Sequence, residues 1–215
     1  MKRLGIIAAG DLGVQLAHLA RKTGRYDPVA FFDDSRAPGT LVAGIPVLGP
    51  LATLDETMAA QPLDELIVAI GYRHLPFRQQ VYERLRSRYR FATLVDPTAV
   101  IDPTCVISEG AIVYAGCVLD MGVEIGCNAL LNVGCVVAHD STVGTGCFLS
   151  PRVTLAGFVR LDPSVSLGIG TTVIDNVHIA TGVRTGAGAV VTGNLDLPGL
   201  YVGVPARFKK ANIPS

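Results

Sequence analysis

From Val95 onward one rule covers the chain without a gap. Stepping by six gives Val95, Ile101, Ile107, Val113, Leu119, Ile125, Leu131, Val137, Val143, Leu149, Leu155, Leu161, Leu167, Val173 and Ile179, fifteen consecutive aliphatic residues. Four places after each stands a small or β-branched residue, running from Ala99, Cys105 and Ala111 through Ser141 and Thr171 to Val183. With half the residues apolar, chance yields such a run at about one in tens of thousands for a single phase. The period predicts a parallel β-helix, in which each hexad forms a short strand and a turn and three hexads close a triangular coil. Residues 95–184 suffice for about five coils, whose like residues stack in ladders.

The first 94 residues follow another grammar. Apolar runs at residues 3–9, 29–33 and 66–70 read as strands, and stretches at 12–23 and 76–89 read as helices. Strands alternating with helices predict a small, Rossmann-like parallel α/β domain. Three segments follow: an α/β domain at 1–94, a β-helix at 95–192 and a tail at 193–215. Charge agrees, with 21 charged side chains in residues 1–94 but only 11 in residues 95–192, where there is no Lys.

Composition narrows the function. A chain 49% hydrophobic and 17% charged is not disordered, and 18 basic against 18 acidic residues leave no net charge to attract nucleic acid or an anionic membrane. No apolar run is long enough to span a bilayer and no secretion signal opens the chain, so a cytoplasmic protein is expected. Of the five cysteines, Cys105, Cys117, Cys135 and Cys147 fall on the small position of the hexad, which makes them packing thiols. Cys127 is at a turn. No CxxC or HxxxH spacing supports a metal site.

Open parallel sheets bind ligands beyond the carboxyl ends of their strands. Here those ends carry Gly10-Asp11, Asp33-Asp34 and Gly71. The stretch Ala8-Ala9-Gly10-Asp11-Leu12-Gly13 keeps the second and third glycines of a dinucleotide fingerprint but has Ala at the first. Its glycine loop can receive a phosphate at a helix N-terminus, or Asp11 can simply cap the helix. Asp33, twenty residues beyond Gly13, can accept a ribose hydroxyl or be a solvated strand end.

Taken together, Phe31-Phe32-Asp33-Asp34, Gly44-Ile45-Pro46-Val47-Leu48-Gly49, Ala138-His139-Asp140, Thr154-Leu155-Ala156-Gly157 and Tyr201-Val202-Gly203-Val204-Pro205-Ala206-Arg207 carry a family likeness. Over essentially its whole length the chain resembles the hexapeptide-repeat sugar acetyltransferases, typified by the sialic-acid O-acetyltransferase and the bacillosamine-pathway nucleotide-sugar N-acetyltransferase. The resemblance implies a left-handed β-helix, a handedness the hexad period does not itself fix. It also implies acetyl-CoA as acyl donor, a nucleotide-linked amino sugar held by the first domain, and homotrimers with sites between subunits.

Acetyl transfer needs a base for the incoming nucleophile and hydrogen-bond donors for the developing oxyanion. His139 occupies a turn position of its hexad, where a side chain can leave the apolar prism, and imidazole exchanges protons near neutrality. By similarity it is the base and Asp140 orients it. Gly157 follows His139 by eighteen residues, hence one coil later at the same corner, where it can leave room for the thioester and offer an amide to the oxyanion or simply form a tight turn; the resemblance favours the first. By resemblance Asn132 holds the acceptor sugar, and its different phase points to a site completed across a subunit boundary. Phe148 stands where many relatives carry a second, cofactor-assisting His, and the tail Arg207-Phe208-Lys209-Lys210 can reach the CoA or be an ordinary solvated end. Arg152, Arg160 and Arg184 are further candidates for CoA phosphates, while His18, His74 and His178 read as peripheral.

The reading favoured by these residues is N-acetylation of a nucleotide-linked amino sugar. O-acetylation by the same machinery and a non-catalytic sugar-binding subunit are the alternatives. A nicotinamide oxidoreductase is disfavoured by the missing first glycine.

Overall fold

The computed structural model describes residues 1–211; residues 212–215 of the expected tail lie outside the described residues. The chain forms two units, Met1–Leu94 and the remainder from Val95.

The first unit contains, in order, β1 (Lys2–Ile7), α1 (Asp11–Lys22), β2 (Tyr26–Phe32), β3 (Leu41–Val42), β4 (Ile45–Gly49), α2 (Leu54–Ala60), β5 (Glu65–Val68) and α3 (Leu75–Leu85). Its sheet order is β3-β4-β2-β1-β5. All pairs are parallel except the β3–β4 hairpin. Leu4, Ile6, Phe31, Val47, Leu66 and Ile67 are all completely buried, as strands covered on both faces require. Helix α1 packs through Leu16, Ala17, Leu19 and Ala20. A Cβ on Gly13 would lie 2.3 Å from the Ala8 carbonyl oxygen, so only glycine permits this approach of helix to loop.

The periodicity did not reveal β3, β4 or α2. The hairpin turns on Ala43 and Gly44, both at positive φ, and Ala gives no turn signal there. Pro46 inside β4 argues against a strand until its place next to the short edge strand β3 is known. The expected helix at 76–89 stops at Leu85, because the chain must turn for Phe91 to bridge Leu66 beside β5. The Leu66 N–H then donates to Arg90 O, and the Ala92 N–H donates to Leu66 O.

The second unit is a parallel β-helix built almost entirely of two-residue strands. One face stacks Val100–Ile101, Val118–Leu119, Val136–Val137, Thr154–Leu155, Thr172–Val173 and Val190–Val191. A second stacks Val106–Ile107, Glu124–Ile125, Thr142–Val143, Arg160–Leu161 and His178–Ile179. The third runs from Leu94–Val95 through Ile112–Val113, Leu130–Leu131, Phe148–Leu149, Ser166–Leu167 and Val183–Thr185 to Gly199–Val202, ending in an antiparallel strand, Arg207–Lys210. Register partners are eighteen residues apart, as in Val118↔Val136 and Val136↔Thr154. The second residue of each two-residue strand is the aliphatic member of the hexad, and these residues fill the prism.

Two further ladders organise the corners. From residue 110 to residue 188 every sixth residue has positive φ; eight of these are Gly, and Asn128, Asp140, Arg152, Phe158, Ser164 and Asn176 are not. At the small position, polar side chains donate to the carbonyl fifteen residues on. The Cys117 thiol meets Asn132 O at 3.1 Å, the Cys147 thiol meets Asp162 O at 3.1 Å, and the Ser141 hydroxyl meets Ala156 O at 2.9 Å. Burial pushes the Cys147 thiol up to about 12, so it stays protonated as a packing group. Where the aliphatic rule ends, Thr185 enters the prism and is bonded to the Thr171 hydroxyl at 2.7 Å. Coil packing continues beyond it to Val191.

Candidate active site

His139 and Asp140 lie in the corner that follows Val136–Val137. The Nδ1–H of His139 donates to Asp140 Oδ2 at 3.0 Å, and the side chains are 43% and 44% exposed. Asp140 has φ +56, as a corner residue in the left-handed region. Two glycines make room for the pair. A Cβ on Gly122 would lie 2.8 Å from Asp140 Oδ1, and one on Gly157 would lie 2.7 Å from His139 Nε2. The imidazole is thus tied through one nitrogen and presents the other above a residue with no side chain.

The neighbouring residues are apolar or inward-bonded. Phe158 sets its ring at 90° to the imidazole with centroids 5.1 Å apart. Met121, one coil earlier, is 54% exposed, and its carbonyl accepts from the Asp140 N–H. Ser141 anchors the corner from below, accepting from the Val159 N–H while donating to Ala156 O. The sequence reading missed Phe158; its only signal was a bulky residue at a corner position that more often holds glycine.

A second histidine–carboxylate pair has the opposite polarity. His178, on the second face, has its Nε2 3.0 Å from Asp162 Oδ1. It commits the nitrogen that His139 leaves over Gly157. His18 and His74 are exposed.

Within one chain, several expected site residues do not converge on this corner. Asn132 precedes Val136–Val137 and His139 follows it, so they occupy the two corners flanking one face. Phe148 lies on the third face and is only 7% exposed. Arg207, in the terminal hairpin, lines a shallow cavity of about 250 Å³ with Thr192, Asn194, Tyr201 and Phe208.

The first unit assembles its own candidate site. The chain passes from β1 outward to β2 and β4, then returns to place β5 on the other side of β1. The switch point therefore falls between the ends of β1 and β5, where Ala69 N–H bonds Ile7 O and where Gly10 and Gly71 begin the following helical segments. The cap of α1 is Gly10, not Asp11, which is the first helical residue, so the Asp11-capping alternative does not hold. Ala8 takes φ +82 at the place of the fingerprint's first glycine, so the loop keeps the glycine-like conformation without the glycine.

Asp33 latches this loop. Its Oδ2 accepts from Ala9 N–H at 2.7 Å, and its Oδ1 accepts from the Ser35 amide and hydroxyl at 2.9 and 2.6 Å. Burial alone would raise its pKa, but the hydrogen bonds from Ser35 and Ala9 outweigh it and hold the carboxyl below its ordinary range. Asp34 accepts from Leu51 N–H at 2.7 Å and fixes the approach to α2. Beyond β5, Tyr72 is 63% exposed with the Arg73 guanidinium over its ring.

Among the described residues, no group of three or more His, Cys, Asp or Glu side chains can hold a metal ion, and no helix is long and apolar enough to cross a membrane.

Residues 3–85 match the PglD N-terminal domain. A GDP-perosamine N-acetyltransferase from Caulobacter crescentus, solved with CoA and GDP-perosamine, is 32% identical over 98% of both chains with a TM-score of 0.90. The acetyltransferase domain of PglB from Neisseria gonorrhoeae is 28% identical over 97% of this chain and 100% of that one, with a TM-score of 0.89. The same domain has been solved in complex with acetyl coenzyme A. This chain belongs to the hexapeptide-repeat nucleotide-sugar N-acetyltransferases.

Proposed function

We propose that the protein transfers an acetyl group from acetyl-CoA to the amino group of a nucleotide-linked amino sugar, with His139 as general base. The observation that carries this reading is the imidazole held through Nδ1 by Asp140 with Nε2 over Gly157. The amine nitrogen attacks the thioester carbonyl, the C–S bond breaks, and CoA departs as the thiol. Because the amine arrives as ammonium, it gives one proton to solvent before attack; His139 Nε2 then takes a second proton from the nitrogen, directly or through water, and returns it to the departing thiolate. Asp140 stabilises the resulting imidazolium, and the Gly157 N–H donates to the oxyanion. The switch point of the first unit, with Gly10, Asp11 and Gly71, holds the nucleotide-linked sugar, and the Asp33 and Asp34 latches hold the loops that form it. Arg207 contributes to CoA binding, and Phe148 stands in for a cofactor-assisting histidine without its hydrogen bond.

We assign a homotrimer to the same reading. The outward positions of the face flanked by Asn132 and His139 are Val100, Val118, Val136, Thr154, Thr172 and Val190, none of them charged. The second face presents Glu124, Arg160 and His178. An uncharged stripe with Val100 at 65% and Val118 at 39% exposure is suited to burial against a second copy. Such packing brings Asn132 of the partner subunit towards His139 and completes the acceptor site. The substrates are metabolites of the cytoplasm, where we place the protein.

The test is release of free CoA from acetyl-CoA across UDP-, dTDP- and GDP-linked 3-amino and 4-amino sugars with matched hydroxyl analogues. Turnover confined to amino sugars and abolished in His139→Ala is expected. Turnover on hydroxyl sugars alone moves the assignment to O-acetylation, and sugar binding without turnover makes the protein a binding subunit.

A further inference from the structure

We infer that Phe158 is a positioning residue for His139, an inference that rests on His139 being the base. Phe158 sits at a corner with φ +58, in a ladder where eight of fourteen positions are glycine. An L side chain is disfavoured in that region. Of the other non-glycine members, Asn128, Asp140, Ser164 and Asn176 belong to residue types whose short polar side chains can bond locally, which phenylalanine cannot. Burial does not offset the conformation, because Phe158 remains 54% exposed. Its ring packs at 90° against the His139 imidazole, centroids 5.1 Å apart. Its backbone N–H also donates to the His139 carbonyl at 3.1 Å.

The dyad needs such a restraint. The bond from His139 to Asp140 joins two side chains more than two-fifths exposed, so water competes for it. Gly157 accommodates Nε2 but has no side chain to brace it, so nothing from that residue stops the ring from swinging. The Phe158 ring closes one direction of that motion, keeping Nε2 aimed where the nucleophile must lie. Misplacement of a reacting group by about 1 Å can cost on the order of a hundredfold in rate.

Glycine at this corner relieves the backbone, so Phe158→Gly separates the two roles. CoA-release kinetics and thermal unfolding are measured for Phe158→Gly, Phe158→Asn, Phe158→Tyr and His139→Ala. The inference expects kcat to fall about tenfold or more in the Gly and Asn variants, with KM for both substrates within about twofold and Tm unchanged or higher. Phe158→Tyr recovers most of the loss. Full kcat in Phe158→Gly, a loss seen in KM alone, or a kcat loss matched by a lower Tm in both variants overturns it. Turnover retained in His139→Ala overturns the underlying reading and the inference together. Inactive His139→Ala beside fully active Phe158→Gly overturns the inference alone.

Discussion

Gly157 lies one coil after His139, and a Cβ placed on it would stand 2.7 Å from Nε2 and 2.8 Å from Cε1. No side chain fits there unless the imidazole moves. Gly157 is outside the left-handed region, so alanine strains no backbone and its effect is confined to the ring. Gly157→Ala should lower kcat by about a hundredfold while leaving Tm within a degree or two. Kinetics of CoA release beside a thermal melt check both halves.

Asp140→Asn keeps a residue type that tolerates positive φ but removes the charge facing Nδ1. The imidazolium formed after proton abstraction then loses its partner. We expect kcat to fall by about 10²–10³ with unchanged sugar affinity. Kinetics and calorimetric binding of the nucleotide sugar separate these effects.

Asp33 gives the first unit a pH signature. Its carboxyl is held below the ordinary value of 3.8, so its contribution is fully present above that value and lost as pH falls through the lower folded value. Asp33→Asn should cost about 1 kcal/mol at neutral pH and raise KM for the nucleotide sugar, because the Ala9 loop loosens. Melts between pH 7 and pH 3 should show the wild type and the variant converging only in acid.

Val118 is the central test of the uncharged face. Val118→Glu adds a charge that must be desolvated if that face is buried against another copy. The variant should elute as a monomer in light-scattering chromatography and lose most of its turnover. A trimeric, fully active variant would place the interface elsewhere.

Leu149 is completely buried in the prism. Leu149→Ala should cost about 2–5 kcal/mol in urea unfolding. The stacking of coils makes the second unit respond together rather than at one rung.

The sequence read the second unit better than the first, for a physical reason. A coil repeats its own geometry every eighteen residues, so Val95 to Ile179 state the same instruction many times. The α/β unit states each instruction once, and β4 was hidden by Pro46 and by a hairpin turn made with Ala43. At the candidate site, phase alone joined His139 to Gly157, because stacking converts sequence distance into spatial distance. Phase could not show that Phe158 meets the imidazole or that the carboxylate of Asp33 is engaged by Ala9 and Ser35, since those depend on side-chain direction. Phase did separate Asn132 from His139 within one chain, and the two stand at the corners flanking Val136–Val137.

The eighteen-residue register of the coils also sets the grain on which this enzyme can change. Inserting or deleting eighteen residues within the prism alters its height while every downstream residue keeps its corner. A shift of six preserves the apolar ladder but carries all later residues one face round, separating residues that had shared a corner. A length that is not a multiple of six breaks the apolar lining of the prism. Length variation among descendants of this chain should therefore cluster at whole coils inside the prism and run free only in the tail and the loops of the first unit.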